Sequence, residues 1–120
     1  MKPWPKSSPE VVERFHEAVT GFDGVELRKM FGFPAAFVGG NLTASLFGDT
    51  MAVRLPDDER QARLDAGWPP FEPMPGRPMR GYVALPNEVV GDAAAARHWV
   101  AQAIAYARTL PPKEPKPRKR

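Results

Sequence analysis

Two glycine-bearing breaks, Gly39-Gly40-Asn41 and Gly48-Asp49-Thr50, leave this chain few choices between residues 26 and 56. Glycine and asparagine accept the positive φ that tight hairpin loops demand. Between the breaks Leu42, Ala44 and Leu46 alternate with Thr43 and Ser45, and after them Met51, Val53 and Leu55 alternate with Ala52 and Arg54. A period of two is the signature of half-buried strands. Upstream, Phe31, Phe33 and Phe37 share one parity on a first strand, where Pro34 requires an edge position, a bulge or an early end. The segment Glu26 to Pro56 therefore reads as a three-stranded antiparallel meander.

Helices flank it. Ser7-Ser8-Pro9-Glu10 is a helix start, because serine accepts orphan backbone N–H groups while proline and glutamate suit the first turn. Val11, Val12, Phe15, Ala18, Val19 and Phe22 then recur at helical spacing as one apolar stripe. After Pro56, Asp57 can cap a short helix over 58–66, closed by Gly67. Five prolines between Trp68 and Pro78 permit only short extended pieces, one around Phe71 and one from Met79 to Leu85. Asn87 or Asp92 opens a last helix that turns Trp99, Val100, Ala103, Ile104 and Ala107 to the core before Pro111 stops it.

The order helix, three strands, helix, two strands, helix predicts an α+β fold: a two-layer arrangement of one antiparallel sheet with helices packed against it. A chain of 120 residues, 42% hydrophobic, suits one domain, here residues 10–110 between an extension at 1–9 and a tail at 111–120. The absence of cysteine excludes thiolate metal sites and cysteine nucleophiles, and it suits a reducing compartment. With no membrane span and no secretory signal legible, a cytoplasmic location is expected.

Charge is segregated. The formal total is +3, yet residues 111–120, PPKEPKPRKR, carry Lys113, Lys116, Arg118, Lys119 and Arg120 against Glu114 alone, a net of +4. The other 110 residues thus sum to −1. Four prolines in those ten residues block helix formation, so the tail is expected to be disordered and extended. Its five cations are candidates for nonspecific contact with nucleic acid; a merely solvated end is the alternative.

Chemistry-bearing motifs are scarce. His16 and His98 are the only imidazoles, each beside an apolar helical stripe, and read as structural or surface residues. No nucleophile elbow, HExxH pair or phosphate loop occurs, so no catalytic residue, metal or cofactor is assigned. Asp57, Asp58 and Glu59 fall in the first turn of a helix, where carboxylates serve N–H groups and the macrodipole. Arg77 and Arg80, near the flexible Gly76, together with Arg54 are the candidates for a small-anion or metabolite site. Arg28 and Lys29 point to opposite faces of a strand and cannot form one patch.

The run Lys29-Met30-Phe31-Gly32, the glycine turn before Asn41-Leu42, and Met51-Ala52-Val53-Arg54-Leu55 before an acidic helix resemble the TfoX/Sxy N-terminal domain family. So do Phe71, Gly76-Arg77-Pro78-Met79, Tyr82, Leu85-Pro86 and the alanine-rich helix with Trp99, a likeness covering about residues 10 to 109. The resemblance implies a compact α+β domain of secretion-chaperone-like arrangement and implies no enzyme activity. Better-known full-length relatives regulate natural competence as transcriptional co-regulators and add a C-terminal helical domain. Here the basic proline tail stands in that place, so a stand-alone domain is expected. The partners this reading leaves are a protein docked on the sheet domain, nucleic acid on the tail, and a second copy paired through an exposed sheet edge.

Overall fold

The computed structural model describes residues 7–30, 32–72 and 81–111. Helix α1 (Pro9–Val19) leads into strands β1 (Val25–Met30), β2 (Phe33–Val38), β3 (Asn41–Phe47) and β4 (Thr50–Arg54). Helix α2 (Asp57–Asp65), strand β5 (Tyr82–Ala84), the single turn α3 (Asn87–Val90) and helix α4 (Ala93–Ala107) follow. The five strands form one antiparallel sheet in sequential order, so the α+β class read from the sequence is the observed one.

The strand partition differs from the expectation in two places. Four strands, not three, precede α2, because the phenylalanine segment is split by a turn with Gly32 at φ +83°. Met30 then faces Phe33 across the β1–β2 pair. The sequence hides β1, since Glu26, Leu27, Arg28 and Lys29 are all exposed on this edge strand and show no buried alternation. Conversely, among the described residues only one strand, not two, follows α2. The piece expected around Phe71 reduces to a single bridge between Pro70 and Val83. Pro69 accepts from Ala84 N–H at 2.9 Å, but neither proline can donate, so the pairing cannot propagate.

Pro34 sits inside β2, opposite Lys29 of β1, whereas β2 meets β3 only from Ala35 onward. The proline thus stands where one side of the strand has no ladder. Farther along, the β2–β3 register slips between Ala36 and Phe37, leaving Thr43 of β3 as the extra residue. Both hairpin turns occur where the glycines place them, with Gly39 at φ +57° and Gly48 at φ +62°.

The helices cover one face. Ser8 caps α1, its Oγ accepting from Val11 N–H at 3.3 Å. Phe15, Ala18 and Val19 then join Ala96, Val100, Ala103, Ile104 and Ala107 of α4 against Ala44, Leu46, Val53 and Val83 of the sheet. Trp99 is only half-buried, unlike its four expected companions on α4. Asp92 caps α4 through Ala94 and Ala95 N–H, at 3.0 and 3.2 Å. Asn87 instead begins the separate turn α3 behind Pro86. On α2 the cap position is Pro56, and Asp57 is the first helical residue. Its carboxylate serves Arg60 rather than the backbone.

The opposite face is made of small side chains. Ala35, Ser45, Ala52 and Ala84 follow one another across β2, β3, β4 and β5, and all are buried. No described helix is long and apolar enough to cross a membrane.

Candidate functional site

Strand parity places Arg54 and Tyr82 side by side on the small-residue face, as cross-strand partners of β4 and β5. The Arg54 guanidinium lies over the Tyr82 ring, 5.9 Å from its centre. Tyr82 itself reaches across β4, its hydroxyl donating to the Leu42 carbonyl of β3 at 2.9 Å. The β3–β4 register ends at Ala44, so this carbonyl lies beyond that ladder. Burial pushes the phenol above its ordinary value of 10.0, and the neighbouring Arg54 cation partly counters the shift.

Arg54 also lines a polar cleft of about 490 Å³ with Asp57, Arg60 and Gly81. Arg60 Nη1 pairs with Asp57 Oδ1 at 2.9 Å, so the one carboxylate among the described residues of the cleft is already engaged. The Gly81 carbonyl accepts from Leu55 N–H at 3.2 Å and fixes the cleft wall against the end of β4. Gly81 holds φ +87°, where a side chain would be strained, though space for one exists beside Arg54. Of the expected anion-binding residues, Arg54 is placed in this cleft. Arg77 and Arg80 lie outside the described residues, as do Lys113, Lys116, Arg118, Lys119 and Arg120. Arg28 and Lys29 do occupy opposite faces of β1, opposite Ala35 and Pro34 respectively.

The sequence reading passed over Arg60 and a second arginine, Arg63 of α2. The Arg63 guanidinium lies 5.6 Å from the Trp68 ring centre and 5.1 Å from that of Trp99. The two indoles meet edge to face at 5.0 Å, and His98 meets Trp99 edge to face at the same distance. His16 and His98 are both exposed. The signal that could have found this cluster was an arginine five residues before a tryptophan across a helix end closed by Gly67. The Trp68 N–H returns to the Arg63 carbonyl at 3.0 Å, and this brings the two side chains to one side.

Among the described residues, Arg14, Arg28 and Arg60 pair with acids, while Arg97 and Arg108 bond backbone carbonyls. Arg54 bears on the Tyr82 phenol and Arg63 on the Trp68 and Trp99 rings, so among the described arginines these two lack an acid or carbonyl partner. No cluster of three or more metal-ligating side chains occurs among the described residues.

Compared with protein-family models, residues 17–107 match the TfoX N-terminal domain. No curated protein matches the chain.

Proposed function

The chain belongs to the TfoX N-terminal domain family, and from that premise we propose that it is a non-enzymatic regulatory module acting in transcription or competence control. Its body docks a protein partner while Lys113, Lys116, Arg118, Lys119 and Arg120 contact nucleic acid. Charge segregation carries this reading: +4 on the last ten residues against −1 on the other 110. A near-neutral body suits protein docking, and a short cationic tail suits a polyanion. Such contact is dominated by phosphates, so it is weak, indifferent to sequence and steeply salt-dependent, with a slope of roughly −0.7 to −0.9 per phosphate neutralised.

The test compares the full chain with a variant whose five tail cations are glutamine, each titrated with single- and double-stranded DNA and with RNA at two salt concentrations. The wild type should bind more tightly and lose affinity steeply with salt, and the variant should do neither. Equal binding by both chains removes the tail from the function.

A second reading, a small-anion or metabolite site, is favoured by the position of Arg54 in the polar cleft beside Arg60. Arg77 and Arg80 belong to this reading by sequence, Arg80 directly preceding the Gly81 wall. Stabilisation of the full chain by pyrophosphate, lost in Arg54→Ala and in an Arg77→Ala, Arg80→Ala double variant, would support it. Unchanged melting in the wild type would dismiss it.

A further inference from the structure

We infer that Arg63, Trp68 and Trp99 form a docking surface for an apolar segment of a partner protein that carries one Asp or Glu side chain. This deepens the partner-docking half of the reading above and rests on it, but it makes no use of the tail.

Arg63 stands between two half-buried indoles with its Nε shut away from solvent and without any hydrogen-bond partner. An orphaned N–H of a cation is costly, and nothing in the described fold recovers that cost. Neither Nη has a hydrogen-bond partner among the described residues, on a side chain that is only partly buried. The planar Arg63 fork matches a carboxylate in two parallel hydrogen bonds. The indoles supply the apolar area. Tryptophan and arginine are also the residue types that dominate interface energetics when clustered.

The surroundings select the class of partner. Asp57, Asp58, Glu59 and Asp65 stand exposed on the same helix, and Asp65 accepts from Gln61 Nε2 at 2.9 Å instead of turning to Arg63. This negative field disfavours a polyanion such as a nucleic-acid backbone. It tolerates a single carboxylate placed between aliphatic side chains. Behind the surface, Leu64, Trp68 and Trp99 pack against the buried cluster.

The experiment uses the full chain and two end-blocked heptapeptides, six leucine, valine and proline residues around a central Glu or a central Gln. The indole N–H signals of Trp68 and Trp99 are followed by NMR. The Glu peptide should shift both signals, bind at least about tenfold more tightly than the Gln peptide, and lose that advantage in Arg63→Met. Arg63→Met keeps an apolar stem against the indoles. Arg63→Lys keeps the charge without the fork and should recover only part of the preference. A melting curve and circular dichroism spectrum like the wild type's qualify each variant, and the Glu-versus-Gln comparison in the unmutated chain stands independently of them. No shift at millimolar Glu peptide, equal binding of both peptides, or a preference surviving Arg63→Met would each overturn the inference. Because no nucleic acid enters, the outcome is separable from that of the tail.

Discussion

Helix α4 carries an arginine–aromatic contact on each side, and the two are finished differently. Toward α1, Arg97 lies 4.4 Å from the Phe22 ring centre and its Nη1 donates to the Glu17 and Thr20 carbonyls at 2.9 and 2.7 Å. Those carbonyls belong to the end of α1, where the last C=O groups lack intrahelical partners. The arginine therefore closes the helix and seals the α1–α4 seam. Toward α2, Arg63 lies on two indoles and donates to nothing among the described residues, with Nε buried. Stacking alone does not distinguish a structural latch from a receptive surface. The disposition of the N–H groups does.

The widest expected separation is in stability. Arg97→Met removes two charge-assisted hydrogen bonds and leaves the α1 carbonyls to water, at a cost of about 2 kcal/mol. Arg63→Met exchanges an unsatisfied cation for an apolar stem and should leave stability within about 0.5 kcal/mol, or raise it. Paired urea titrations of the two variants measure both. Comparable losses would mean that Arg63 is a latch too, and the contrast would collapse.

Tyr82 provides an intermediate case, a half-buried polar group that has found its partner. Tyr82→Phe should cost about 1 kcal/mol by leaving the Leu42 carbonyl without its donor. It should also change the alkaline limb. The folded phenol is raised above 10.0, so the unfolded chain releases this proton first. Its stabilising contribution is complete below about pH 10 and is lost as pH climbs through the folded value. Melting temperatures scanned from pH 8 to 11.5 should fall more steeply in the wild type than in Tyr82→Phe. Parallel curves would show that burial does not hold this proton.

Much of this contrast was invisible in the sequence, for reasons particular residues make plain. The α1 stripe, the two glycine turns and the alternation through β3 and β4 were legible because each is a local pattern with a single geometric solution. Strand β1 was not, since an edge strand with four exposed residues has no buried period to show. Nor was the failure of Phe71 to extend a strand, which depends on two prolines facing β5. Arg54 could be named as a candidate from the sequence, but its engagement with Tyr82 depends on the β4–β5 register, which only the fold discloses. Arg63 drew no notice, because a helix of thin apolar face gives no hint that Trp99, 36 residues later, will lie against it. Long-range juxtaposition, not composition, makes that cluster.

The smallest expected effect lies at the centre of the sheet. Among the described residues, Ser45 Oγ is the other buried polar side-chain atom without a partner, on a residue 1% exposed between Ala35 and Ala52. If the hydroxyl is truly idle, replacing it with hydrogen removes a desolvated group and leaves a cavity of one oxygen, two small terms of opposite sign. Ser45→Ala should thus change stability by no more than about 0.5 kcal/mol. A loss above about 1 kcal/mol would instead mean that the hydroxyl is engaged in the native protein. In that event an unpartnered donor would cease to be a sufficient mark of an open surface, and Arg63 would need the peptide comparison alone to set it apart from Arg97.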